Sequence, residues 1–319
     1  MEVEDMPTSV SVIVPVLNEQ GTLGALLDAL FLQQTRPPDE VVVVDTGSTD
    51  DSLRIARHYA VRYPVKILVL DQAFPGKGRN AGVKCAQGDI IAFIDTGLTP
   101  EPTWLEKLVE PIEKGMAEVS LGYSLAKPST LIGQAITGLL YGCMRSKLRF
   151  VPSMAIRKTS FFEVGQFRED LRAAEDGEWL RRLDRHTGLR QVRVAGAINY
   201  YTEFPRTLLE VYHKWAIYNR CEILAGVGWR KLGLIVSVVL LIIVLAMAMP
   251  ASLAVIALAY GARVFITPVA KKCWHFGTYL EKPTLAGMLL MVAVVTDIGR
   301  AIGLLQGAAE RLFGCGRER

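Results

Sequence analysis

The chain has 319 residues, half of them hydrophobic, and a formal net charge of +4. From Lys231 onward nine Lys/Arg face four Asp/Glu, a local charge of +5, which leaves residues 1–230 at −1. A basic surplus confined to the apolar C-terminal third excludes a nucleic-acid binder, whose basic stripe lies on its folded domain, and suits contact with anionic lipid headgroups.

In chain order, the opening MEVEDMPTSV is acidic and lacks an apolar core, so it does not read as a secretory signal. Residues 10–16, VSVIVPV, predict a buried strand, and residues 19–34 carry helical apolar spacing at Leu23, Leu26, Leu27, Leu30 and Phe31. EVVVVD (40–45) is a second strand, followed by a helix from Asp50 to about Tyr59. VKILVL (65–70) is a third strand, with a helix from about Gly78 to Cys85. DIIAFID (89–95) is a fourth. Strands of near-continuous Val, Ile and Leu alternating with helices predict a mostly parallel sheet covered on both faces. Asp50 reads as a helix cap. The scattered cysteines Cys85, Cys143, Cys221, Cys273 and Cys315 have no metal or redox spacing and read as reduced packing residues.

The strand ends carry the chemistry. The first ends in Pro15-Val16-Leu17-Asn18-Glu19, the second in Asp45-Thr46-Gly47-Ser48, the fourth in Asp95-Thr96-Gly97. Carboxyl ends of parallel strands face one crevice, where ligands bind. Between strands three and four, Pro75-Gly76-Lys77-Gly78-Arg79-Asn80-Ala81-Gly82 reads either as an anion site at a helix start or as a mobile basic loop.

Together, SVIVPVLNE, VVVVDTGSTDDS, GKGRNAGVKCAQGDIIAFID and AAEDGEWLRRL resemble inverting glycosyltransferase family 2 over about residues 9–185. The resemblance implies an α/β fold of the GT-A nucleotide-sugar-binding type. It also implies transfer of a sugar from a UDP- or GDP-sugar. On the matching positions it implies nucleotide contacts from Pro15, Asn18, Glu19, Asp45, Lys77 and Arg79, with Asp95 as the first acid of a DxD element and a ligand of Mg²⁺ or Mn²⁺. Asp176 is the implied catalytic base. Gly97 stands where the family places a second metal-binding acid. Asp95 is then the only protein carboxylate on the metal, or Thr99 or Glu101 reaches in, or Lys77 and Arg79 neutralise the diphosphate themselves.

Downstream, residues 117–157 read as the acceptor side. Leu131 to Arg149 forms an apolar helix with a basic end, either core or membrane-surface. Residues 204–230 predict an amphipathic interfacial helix, with Arg206, Lys214 and Arg220 among Tyr212, Trp215 and Tyr218. Only His213-Lys214-Trp215 stands where processive polysaccharide synthases carry QxxRW, which favours single transfer to a lipid-linked acceptor. Residues 231–319 form the membrane region, with spans at about 232–249 and 251–269. The stretch at about 284–306 is either a third span or an interfacial or re-entrant helix. Arg230, Lys231, Lys271 and Lys272 place both ends of the hairpin in the cytoplasm. The expected assignment is a multi-pass inner-membrane protein with residues 1–203 as a cytoplasmic GT-A domain, self-associating through its membrane helices. A polysaccharide synthase subunit and a non-catalytic nucleotide-sugar scaffold are the alternatives.

Overall fold

The computed structural model describes residues 8–32, 34–141, 151–185, 188–249, 252–271 and 273–313. The basic end of the 131–149 segment, Cys143, Cys315 and Lys272 lie outside the described residues. The chain divides into two compact units: residues 1–127 with 147–203, and residues 128–146 with 204–319.

The first unit begins β1 (Val10–Val16), α1 (Leu23–Phe31), β2 (Glu40–Asp45), α2 (Ser52–Ala60), β3 (Val65–Val69), α3 (Pro75–Cys85) and β4 (Ile90–Phe93). Then come β5 (Leu98–Pro100), α4 (Trp104–Glu113) and β6 (Val119–Ala126). After the crossing into the second unit it resumes with β7 (Met154–Arg157), α6 (Lys158–Val164), α7 (Glu175–Arg185) and β8 (Gln191–Tyr201). One eight-stranded sheet has the order β3-β2-β1-β4-β7-β6-β8-β5. The β3-β2-β1-β4 half is parallel, as the apolar runs predict, and β7 turns antiparallel against β4.

Alternation in β1 divides the core. Val10, Val12, Val14 and Val16 face α1, α2 and α4 with Leu23, Leu26, Leu27 and Trp104, whereas Ile13 faces Val83, Phe161, Phe167 and Trp179 of α3, α6, α7 and the loop between the last two. β1, β2 and β4 are buried on both sides, which is why their sequences show no polar alternation. The two faces fix the helices that carry the site.

The second unit holds α5 (Leu131–Ile136), α8 (Leu208–Leu224), α9 (Trp229–Ala248), α10 (Ser252–Ala270), α11 (Gly277–Glu281) and α12 (Pro283–Phe313). α9, α10 and α12 are each long and apolar enough to cross a membrane. The 31 residues of α12 extend roughly 46 Å, well beyond a hydrocarbon core of about 30 Å. Its second half packs on α8 through Gly299, Gly303 and Gly307. A Cβ at these positions would lie 2.8 Å from the Tyr212 carbonyl oxygen, 2.1 Å from that of Ala216 and 2.6 Å from that of Arg220. Spacing by four keeps the glycines on one helix face and lets two backbones approach where any side chain would hold them apart.

Candidate active site

The site assembles at the carboxyl ends of β1, β2 and β4. Asp45 closes β2 almost fully buried. Its Oδ1 accepts hydrogen bonds from the N–H groups of Gly47 and Ser48, both at 2.9 Å, while Oδ2 is buried and without a partner. A carboxylate oxygen kept dry and unbonded is suited to a donor on a ligand, because leaving it unsatisfied is costly. After β1, Asn18 adopts φ +57, a conformation asparagine tolerates, and its Oδ1 accepts from Thr49 N–H at 2.8 Å. Glu19 N–H donates to Ser52 Oγ at 2.7 Å, and the Glu19 side chain accepts from the Thr22 hydroxyl. Asp50 accepts from Ser52 N–H at 3.0 Å from one position before the cap of α2, which Asp51 occupies in place of the expected Asp50. These bonds lock the first two strand-end turns into one surface, with Pro15 packed near α3.

The Gly-rich segment differs from a phosphate loop. The helix begins at Pro75, so Gly76, Lys77 and Gly78 lie within it and not ahead of it. Its glycines serve packing. A Cβ on Gly82 would stand 2.5 Å from Ile13 Cγ2, one on Gly78 3.0 Å from Thr46 Cγ2, and one on Gly76 2.3 Å from the Arg168 carbonyl oxygen. Lys77 is exposed on the first turn. Asn80 clamps the loop before α7: its Nδ2 donates to the Phe167 carbonyl and its Oδ1 accepts from the Phe167 N–H, both at 2.9 Å.

Arg79 is 4% exposed and bridges two acids. NH1 donates to Glu175 Oε1 at 2.6 Å, and NH2 donates to both oxygens of Asp95 at 2.8 and 3.1 Å. Burial opposes its charge, but Asp95 and Glu175 outweigh burial and hold its pKa above the ordinary arginine value. The guanidinium is thus committed to carboxylates. It ties the end of β4 to the first turn of α7.

Glu175 and Asp176 open α7, with Ala174 at φ +65 turning the chain into it. Asp176 is partly exposed, and its Oδ1 accepts from Gly177 N–H at 2.6 Å. Desolvation pushes both carboxyls above their ordinary values. Arg79 pulls each down, whereas Asp95 raises Asp176 and Asp176 raises Glu175. Three acids served by one arginine leave a surplus negative charge, and an acid with a raised pKa is the stronger base near neutrality.

Gly97 adopts φ +77, and a Cβ there would lie 2.8 Å from Glu203 Cγ. Pairing of β5 with β8 sets Leu98 opposite Tyr201 and so carries Glu203 alongside Gly97. The Tyr201 hydroxyl is pushed up to about 12 by burial and then by Glu203, Asp95 and Glu19, so these acids share one neighbourhood. Sequence reasoning missed Glu203, Tyr201 and the Glu175 side chain, and Glu203 has no local signal at all. Glu101, by contrast, accepts from the Tyr200 hydroxyl at 2.6 Å. Among the described residues no three His, Cys, Asp or Glu side chains form a cation-holding set. Asp95 and Glu203 are hard oxygen donors that fit Mg²⁺ or Mn²⁺ when a diphosphate supplies the remaining oxygens.

Residues 11–129 match the family model for glycosyl transferase family 2. Over these residues the chain is similar to that family. Glycosyltransferase AglE of Haloferax volcanii is 40% identical over 107 residues, 32% of this chain and 35% of that protein. The chain spans about a third of the length of the first curated relatives it matches. Staphylococcus aureus TarS 1–349, solved in complex with UDP-GlcNAc, superposes with a TM-score of 0.51 over 95% of this chain and 91% of its own, at 18% identity. GalNAc-T7, solved with UDP, GalNAc and Mn²⁺, gives 0.50 over 67% of this chain and 47% of its own, at 16% identity. The likeness to these two structures is one of fold, and it is the GT-A fold.

Proposed function

We propose that the protein is a membrane-bound inverting glycosyltransferase that moves a sugar from a UDP- or GDP-sugar to a lipid-linked acceptor at the cytoplasmic face of the inner membrane. The observation that carries the reading is the convergence of Asp95, Glu175 and Asp176 on Arg79, at the sheet end where Asp45 keeps a carboxylate oxygen free.

In this reading each residue has a role. Asp45 accepts a hydrogen bond from the nucleoside, and Pro15, Asn18 and Glu19 form the adjoining wall. Asp176 takes the acceptor's hydroxyl proton as the acceptor oxygen bonds to the anomeric carbon and the bond to the diphosphate breaks on the opposite face. Arg79 is a positioning residue that holds Asp95 and α7 together, and Lys77 is the exposed cation available to the leaving group. Asp95 and Glu203 would hold a divalent cation, which would neutralise the diphosphate.

The α9–α10 hairpin crosses the membrane, with Arg230, Lys231 and Lys271 at its cytoplasmic ends. α12 lies interfacial, because its second half is packed on α8 and carries Arg300, Glu310 and Arg311.

The test is Asp176→Asn. Transfer to a hydroxyl acceptor should fall about 10²–10⁴-fold while UDP binding persists, since only proton acceptance is removed. Near-normal turnover would remove Asp176 from the role of base.

A further inference from the structure

Within the second unit three charged side chains meet on otherwise apolar helices. Arg263 of α10 donates to Asp297 Oδ2 of α12 at 2.6 Å, and Arg300 donates to Asp297 Oδ1 at 3.2 Å. Tyr260 donates its hydroxyl to the same Oδ2 at 3.0 Å. Each guanidinium lies over a ring: Arg263 is 4.7 Å from the Tyr260 centroid and Arg300 5.3 Å from that of Trp215.

Charge in an apolar helix is expensive, and pairing is the usual remedy. One carboxylate neutralises one guanidinium here, so the cluster keeps a charge of +1. Nearby acids are engaged elsewhere: Glu310 by Arg220 at 2.6 Å and Glu222 by Lys231 at 2.6 Å. The donor surplus extends to Trp215, whose Nε1 is buried with no acceptor. A purely structural ion pair needs one arginine. A second, with five N–H donors in a planar fork and a side chain a third exposed, is arranged for an anion. Arg263, more than half exposed, sits seven residues before Ala270, roughly 10 Å along the helix from its end.

We propose that Arg263 and Arg300 bind the phosphate of an anionic membrane lipid in competition with Asp297, with Tyr260 and Trp215 flanking the two forks. The inference requires only that α10 and α12 meet a bilayer, and it stands apart from the sugar-transfer reading.

The experiment uses the full chain purified in neutral detergent. It is titrated with dioleoyl phosphatidylglycerol, a polyprenyl monophosphate and, as control, dioleoyl phosphatidylcholine, and retained lipid is measured by native mass spectrometry. Arg263→Gln and Arg300→Gln should each weaken retention of an anionic lipid about fivefold, leave the zwitterionic phosphatidylcholine unchanged, and be rescued by lysine. Loss for both anionic lipids assigns a general phospholipid site, and loss confined to the polyprenyl phosphate assigns an acceptor-lipid site. Asp297→Asn, which removes the competing carboxylate, should strengthen retention even where an arginine variant fails to fold. Unchanged retention in the folded arginine variants, or weaker retention in Asp297→Asn, overturns the proposal.

Discussion

Arg79→Met separates the electrostatic role of this arginine from its packing. The side chain is 4% exposed and binds Glu175 at 2.6 Å and Asp95 at 2.8 Å. Breaking a buried pair from one side costs roughly 3–5 kcal/mol, and partial exposure of Asp95 favours the lower end. At about 2–4 °C per kcal/mol in a domain of this size, Tm should fall by about 6–12 °C at neutral pH. The pH dependence is the sharper test. Burial already holds Glu175 and Asp176 above their ordinary values, and Arg79 pulls both down. Without it they rise further. An acid whose folded pKa is raised binds a proton that the unfolded chain has released, so stability is lost as pH climbs from the ordinary carboxylate value through the folded one. The deficit of Arg79→Met should therefore be small near about pH 4 and grow toward about pH 8. Intrinsic fluorescence suits the measurement, since Trp179 stacks on Phe161 at 5.7 Å in the core beneath α7. The acid limb of the transfer rate should also move to higher pH. An equal loss of Tm at both ends of the range would refute the electrostatic account and leave only lost packing.

Asp45→Asn should weaken UDP binding by roughly tenfold, as expected when a hydrogen bond to a charged group is lost, and calorimetry reads it directly. Asp176→Asn should raise Tm above about pH 5 while abolishing transfer, because the amide carries no charge to desolvate. Gly303→Ala should destabilise the second unit by roughly 1–3 kcal/mol, since its Cβ would sit 2.1 Å from the Ala216 carbonyl oxygen, and thermal unfolding in detergent would show it.

The parallel half of the sheet was legible because strands buried on both faces must be apolar throughout, and VSVIVPV and EVVVVD became β1 and β2 with the expected bounds. The acids at the strand ends were legible for the same reason: each interrupts such a run. The glycines of GKGRNAG were harder to interpret. A glycine admits close approach by a phosphate or by a neighbouring side chain equally well, and only the structure distinguishes them, in favour of Ile13, Thr46 and the Arg168 carbonyl. Arg79 was placed at the site, but its engagement with two carboxylates depends on how α3 and α7 pack, which no local pattern encodes.

Gly97 gathers these points into one experiment. The sequence presents it as a missing acid. The structure gives it two constraints, a φ of +77 that favours glycine and a neighbour, Glu203 Cγ, 2.8 Å from where a Cβ would stand. An aspartate there must adopt a left-handed backbone and displace Glu203. Restoring the acid by Gly97→Asp should then weaken Mn²⁺ binding in the presence of UDP, although it adds a carboxylate. Glu203→Gln should weaken it as well, because it removes a donor and leaves the backbone alone. Combining Gly97→Asp with Glu203→Ala clears the space and should recover part of the affinity, short of the native value by the strain retained at residue 97. Electron paramagnetic resonance of Mn²⁺ reads all three without reference to turnover. Tighter binding in Gly97→Asp alone would show that the two side chains do not compete. No effect of Glu203→Gln would show that Asp95 and the diphosphate suffice, and Glu203 would then leave the metal assignment.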